Sequence, residues 1–263
     1  SRIWQNWGES VTAYPKEILS PQSLEEVEEI VHRVRQRKGR IRVVGSGHSW
    51  SPLVPCDDVL LSMEAFTEMS LSDDKTRVTV EPGVTIDSMA SFLIDNGVCL
   101  PSNVGHGVGE ATIGGVVATG CHGSGITMLS TSDYVVAMEV MGSRGQRVRF
   151  DESDMEMLNA ARLSLGLFGI ITSLTFRVQP SYNVHVVDFP MPVAEALEGL
   201  EAFVQGNQYA EFSWIPFTGM AYMNKANTTE RAPTRRGQDP TISSFQQELN
   251  QQIAQAPVYT LES

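Results

Sequence analysis

The sequence is poor in positive charge, in cysteine and in long apolar runs. Lys and Arg total 19 against 31 Asp and Glu, a formal net charge of −12 over 263 residues. Nucleic-acid binding draws on clustered Lys and Arg, so this balance argues against a nucleic-acid partner. It disfavours an anionic membrane surface in the same way. The basic run Arg33, Arg35, Arg37, Lys38 and Arg40 falls at the end of a helical pattern, where cations complement the helix's negative end. The three cysteines, Cys56, Cys99 and Cys121, are odd in number and imply no disulfide framework. With no CxxC or HxxxH spacing, no metal site is expected. No apolar run reaches the ~18–20 residues of a membrane span. The chain carries no secretory-leader pattern, and its compartment and any membrane association stay open. No GxGxxG opens a helix, which removes the fingerprint of the doubly wound dinucleotide fold.

With 41% apolar and 19% charged residues the chain is globular, long enough for one large or two modest domains. Ser23 with Glu26 three positions on forms a capping-box pattern, and Leu24, Val27, Val31 and Val34 follow at helical spacing. Lys38–Gly39 closes that helix. Strands are predicted at 41–45, 59–63, 77–83, 134–141 with a hairpin partner at 146–150, and 170–178. Helices are predicted at 85–96, ended by Gly97, and at 153–163. This mixture with few helices is α+β. A second unit begins near Pro180, with the segment 184–189, a helix at 193–204 and a strand at 210–217. Residues 225–263 turn polar, and Phe245, Leu249 and Ile253 permit one helix there.

Two glycine-rich loops, VVGSGHSW at 43–50 and ATGCHGSG at 118–125, each hold a histidine, His48 and His122. Glycine lets backbone approach a ligand closely, and successive amides in such loops form concave nests for anions. Two such loops in an acidic chain point to a diphosphate held by amides at Gly45–Ser49 and Gly114–Gly125. Ser46, Ser49, Thr119 and Ser124 add hydroxyls without bulk. Tight turns between strands are the plain alternative for either loop, and a histidine there can simply satisfy backbone groups.

Four segments in order, RVVGSGHSWSP (42–52), VTVEPGVTI with the following L and NG (78–97), IGGVVATGCHGSG (113–125) and LSLGLFGIITSLTF (163–176), carry a resemblance. They resemble the FAD-binding domain of the vanillyl-alcohol-oxidase-type (PCMH-type) flavoproteins. Within that group they are most similar to the aldonolactone and alditol oxidases, which include L-gulonolactone oxidase and D-arabinono-1,4-lactone oxidase. The similarity runs from about Trp4 to about Pro180 and continues more weakly through FSWIPF and YMNKANTT.

The resemblance implies two α+β subdomains holding FAD between them over 1–180. The incomplete start of an α+β substrate domain follows over 181–263. It implies a cofactor-binding set of Val44, Gly45, Ser46, Gly47, His48, Ser49, Thr112, Gly115, Thr119, Gly120, His122, Gly123, Ile170 and Ile171. His48 matches the histidine bonded covalently to the flavin 8α-methyl carbon. Gly105 matches a small residue beside the flavin's reactive edge, where room is left for O₂. The implied activity is oxidation of a CH–OH group of a sugar lactone or alditol, with O₂ as acceptor and H₂O₂ as product. A dehydrogenase of the same fold and a catalytically incomplete FAD-binding fragment are the alternatives. The family's chains run well beyond this one, and its substrate-binding side chains and base come largely from that later part. A metal site on His48, His122 and Cys121 is disfavoured, since no carboxylate or further histidine sits at ligand spacing.

Overall fold

The computed structural model describes residues 2–101 and 109–233. The chain divides into two compact units, residues 1–123 with 128–181 and residues 124–127 with 182–263.

In the first unit a short hairpin, β1 (Trp4–Gln5) with β2 (Thr12–Ala13), precedes β3 (Glu17–Leu19). Helix α1 (Leu24–Gln36) starts at Ser23, whose hydroxyl accepts from the Glu26 amide at 3.2 Å. The Glu26 carboxylate returns to the Gln22 amide at 2.8 Å, one residue earlier than the usual capping box. Val27, Val31 and Val34 are buried, as their spacing predicts. The helix ends with Lys38, not Gly39, in the left-handed region (φ 54°), while the Gly39 amide donates back to Val34 O at 2.8 Å. Gly39 is required for space instead: a Cβ there would lie 2.3 Å from Asp58 Oδ2.

Strands β4 (Ile41–Val44) and β5 (Val59–Ser62) complete a parallel sheet of order β3-β5-β4. Its base is fastened by buried Asp58, which accepts from the Arg40 amide at 2.7 Å and the Arg37 guanidinium at 2.6 Å. The Arg40 amide, then the Arg37 guanidinium, hold the Asp58 carboxyl below the usual carboxylate range.

Next come β6 (Met69–Leu71), β7 (Arg77–Val80), α2 (Ile86–Asp95), β8 (Val98–Cys99), α3 (Ile113–Ala118), β9 (Val135–Met141), β10 (Arg147–Asp151), α4 (Met155–Arg162), β11 (Ile170–Arg177) and β12 (Gln179–Pro180). Five of these strands form an antiparallel sheet of order β10-β9-β11-β7-β6. Its core gathers Val78, Met89, Leu93, Ile113, Met138, Leu158, Leu174 and Phe176. Met141 and Ile170, at the ends of β9 and β11, pack instead with Val27, Val31 and Leu61 against the parallel sheet. The unit's two larger sheets are therefore joined by apolar packing, and the fold class is α+β.

The second unit has β13 (Asn183–Pro192), α5 (Val193–Gln205), β14 (Tyr209–Ile215) and β15 (Met220–Thr229). Its antiparallel sheet has the order β13-β15-β14, with Ala196 of α5 buried among Ala221, Met223, Phe189 and Phe203. The polar segment at its end is thus partly the central strand of a sheet. The helix predicted from Phe245, Leu249 and Ile253 lies outside the described residues.

Candidate functional site

Val44 is the buried last residue of a parallel strand, and the chain leaves the sheet there. Crevices beyond the carboxyl ends of such strands are the common ligand sites of open sheets. Gly45–Ser49 form the turn, with Gly47 at φ +71°. Among the described residues, the amides of Gly45 to Ser49 donate to no other protein group. A run of unclaimed amides in a glycine turn is a ready anion cradle.

The second loop meets the first. A Cβ at Gly45 would sit 2.1 Å from Thr112 Oγ1, and Ser46 Oγ donates to Glu110 O at 2.5 Å. Thr112 is the N-cap residue of α3 but makes no side-chain cap bond there. From this point most amides are spent: Ile113 donates to Val84 O, Gly114 to Pro82 O, Val116 to Thr112 O, Thr119 to Gly115 O, Gly120 to Val117 O and Cys121 to Val116 O, while the Gly115 amide has no acceptor among the described residues. Thr119 Oγ1 donates to Gly115 O at 2.8 Å.

A cavity of about 1100 Å³ opens on both loops, near the upper end of the roughly 300–1,000 Å³ usual for small-molecule sites. Of the predicted residues, Val44, Gly45, Ser46, Gly47, His48, Ser49, Thr112, Gly115, Thr119, Ile170 and Ile171 line it. Gly120, His122 and Gly123 do not; His122 is exposed and its Nδ1 lies 3.0 Å from Gly123 O. Gly105 lies outside the described residues. Gly142 and Ser143, at the turn after β9, also line the cavity, though only a hairpin turn is legible in SRG. Arg42 lines it too, but its guanidinium donates to the carbonyls of Leu165 and Leu53 and so builds the wall. Among the described residues no group of three or more His, Cys, Asp or Glu is arranged to hold a metal ion. No described helix is long and apolar enough to cross a membrane.

His48 stands in the cavity wall with its Nε2 buried and without a hydrogen-bond partner. A buried polar atom left unpaired is costly, and native structures usually supply a partner. The free amides, the left-handed glycine, the steric need for glycine at 45 and this unpaired nitrogen fit a phosphate-bearing cofactor that reaches His48. Trp7 stacks on the imidazole with centroids 5.3 Å apart and planes 24° from parallel. Neither motif nor periodicity singles out Trp7; its signal is the WQNW run at 4–7, two tryptophans in four residues before a loop that ends at Trp50.

Comparison with known proteins agrees with this geometry. A family model described as "FAD binding domain" matches residues 15–151, a little over half of the chain, and one described as "D-arabinono-1,4-lactone oxidase" matches 174–261. The chain is 30% identical over 233 residues to L-gulonolactone oxidase of Bos taurus, covering 88% of this chain and 52% of that one. It is 32% identical over 235 residues to L-gulono-1,4-lactone dehydrogenase of Mycobacterium tuberculosis, covering 89% and 54%. The chain thus spans about half the length of these curated relatives. A crystal structure of cholesterol oxidase from B. sterolicum superposes with a TM-score of 0.78 at 19% identity, covering 95% of this chain and 54% of that one, and shares the fold.

Proposed function

Because the chain belongs to the FAD-binding domain family, we propose that it is the cofactor-carrying part of an aldonolactone or alditol oxidase. FAD bound here would supply the two-electron acceptor for oxidation of a CH–OH group, whose hydride and hydroxyl proton end, with O₂ as final acceptor, in H₂O₂. The chain's residues bind and orient it. The amides of Gly45–Ser49 face the diphosphate. Thr112 and Gly115 form the facing wall, Thr112 with its hydroxyl and Gly115 with the room its missing side chain leaves. Ile170 and Ile171 offer backbone and apolar surface to the adenine end. In this reading Gly120, His122 and Gly123 support the second loop around the cofactor rather than the cavity wall itself. Gly105 leaves O₂ room to approach.

The His48 imidazole bonds covalently to the flavin's 8α-methyl carbon. A ring-nitrogen lone pair would make the N–C bond as a methyl C–H bond breaks; the methyl proton and the imidazole N–H proton leave, and the electron pair of the broken C–H bond is left on the flavin, which O₂ reoxidises with formation of H₂O₂. The tether keeps the cofactor in place and raises its tendency to accept electrons. Residues 1–180 form the cofactor domain, and 181–263 begin the substrate domain. The substrate is a sugar lactone or polyol.

The observation that carries this reading is the run of unclaimed amides at Gly45–Ser49 beside the unpartnered His48 nitrogen, in one cavity. Mass spectrometry of the acid-denatured protein, with a peptide map over residues 42–63, tests it. An FAD adduct on His48 is expected. Bare His48 with FAD released removes the covalent bond, and no flavin at all removes the cofactor site.

A second reading, a dehydrogenase that passes electrons to a protein or quinone acceptor, is favoured by the dehydrogenase name of the M. tuberculosis relative. Reoxidation of the reduced flavin by O₂ in stopped flow separates the two: fast return of flavin colour is the oxidase result, slow return the dehydrogenase one.

A further inference from the structure

We propose that Trp7 is a positioning residue for His48, and that the hairpin Trp4–Ala13 is a clasp that sets the imidazole plane before the cofactor arrives. The proposal rests on the reading of His48 as the flavin's attachment point. The hairpin precedes the stretch matched by the FAD-binding model.

The clasp is built from backbone outward. Asn6 is 4% exposed, and its side chain is the pivot: Oδ1 accepts from the Val11 amide at 2.8 Å, while Nδ2 donates to Ser49 O at 3.1 Å. The Trp7 amide donates to Gly47 O at 2.9 Å. These bonds fix the hairpin to both sides of His48. A Cβ at Gly47 would lie 3.2 Å from Trp4 Cζ2, so the loop presses against a second indole. Trp7 then covers the imidazole face, and Trp50 meets Trp7 edge-on at 6.3 Å and 86°. Gly8 makes room for that third ring, since a Cβ there would lie 2.5 Å from Trp50 Cζ3.

The imidazole itself makes no hydrogen bond to the described protein. Histidines that act at a fixed nitrogen are usually held by a bond to the other nitrogen. Among the described residues no such bond exists, and the Trp7 ring stacks on the imidazole in its place. A stacked ring pair is favoured beyond the area it buries, and this favours one ring orientation. Trp7 is otherwise 62% exposed, an unusual position for an indole whose only task is packing.

The test uses the 263-residue chain expressed under riboflavin limitation, then mixed with FAD. Two rates of loading are followed: non-covalent binding by flavin fluorescence, and tethering by intact mass. Trp7→Ala should leave binding within about 3-fold and slow tethering by about 10- to 100-fold, the cost of a misplaced reacting group. Trp7→Phe, which keeps a stacking ring, should restore most of the tethering rate. Tethering of Trp7→Ala at the wild-type rate overturns the proposal, as does a Phe variant no better than Ala. So does parallel loss of binding, tethering and thermal stability, which marks a structural role. A wild type that binds FAD and never tethers overturns the covalent reading instead. The clasp then stands or falls on the proton spectrum of the flavin-free chain. His48 ring protons shifted upfield by the indole, and released in Trp7→Ala, support it; unshifted protons in the wild type overturn it.

Discussion

Gly45 to Ser49 leave their amides without acceptors, whereas from Ile113 to Cys121 most of the amides named above already donate to carbonyls. The two loops share a vocabulary of glycine, serine, threonine and one histidine, yet they are built for different ends. In the first, glycine provides a left-handed residue at 47 and clearance at 45, and the backbone faces a cavity. In the second, glycine lets a short helix lie against a neighbouring strand end: a Cβ at Gly114 would lie 2.9 Å from Pro82 Cβ and 3.1 Å from Pro82 O. Glycine content marks close approach. Only the hydrogen bonds say whether what approaches is a ligand or the protein itself.

The contrast is tested first at Gly45. A methyl group there would overlap Thr112 Oγ1, and Thr112 is β-branched with little rotamer freedom. Gly45→Ala should cost about 1–3 kcal/mol of stability in urea unfolding, the usual range for overpacking. It should also weaken FAD retention, because the amide cradle moves with it. Gly45→Ala combined with Thr112→Ala should recover at least half of the stability loss. Additive losses in the pair would show that the two loops do not press on one another.

The loops also differ in how they are anchored. The first hangs from β4, whose base is fastened by Asp58; the second hangs from apolar Ile113, Val116 and Val117. Asp58→Ala should cost about 1.5–3 kcal/mol, the range for hydrogen bonds to a charged group. The pH dependence has a definite sign. The Asp58 carboxyl is held low in the folded chain, so its contribution is fully present above the unfolded carboxylate pKa of about 3.9. It is lost as pH falls from there through the depressed folded value. Unfolding followed from pH 7 to pH 2 should show a shallower acid limb in Asp58→Ala than in the wild type. Parallel limbs would remove Asp58 as the anchor.

Much of the first unit is legible in the chain, and the failures have local causes. Helix α1 can be read from Ser23, Glu26 and the valine spacing, because cap and apolar face agree there. Helix α3 cannot: IGGVVA carries two glycines, each costing about 1 kcal/mol against alanine in a helix. What forms it is tertiary, the Pro82 backbone meeting Gly114 and the burial of Ile113, Val116 and Val117. Strand β15 is hidden for a related reason. Its NKANTT end is polar, yet it pairs with β13 on one side and β14 on the other. The cavity wall at Val44–Ser49 is signalled by residue type. Gly142 and Ser143 reach the same cavity from a hairpin turn with no mark of its own, since they arrive there by sheet geometry. The stack of Trp7 on His48 joins residues 41 positions apart, a contact that periodicity does not encode.

The finest test sets two adjacent glycines of α3 against each other. At Gly115 a Cβ would meet only Thr112 Oγ1, at 3.4 Å, an ordinary contact. Gly115→Ala should therefore stabilise the flavin-free chain by about 0.5–1 kcal/mol, the helix preference for alanine over glycine. The same methyl narrows the cavity that Gly115 lines, so FAD retention should fall while stability rises. Gly114→Ala should do the reverse of the first effect. Its Cβ meets Pro82 at 2.9 Å and strains the Gly114 amide's bond to Pro82 O, so stability should fall. Thermal melts of both variants with and without FAD give the answer. If both glycines respond alike, the second loop is a uniform support and its wall at Gly115 has no special place beside the cofactor. Opposite signs would put the boundary between scaffold and binding surface within a single peptide unit of α3.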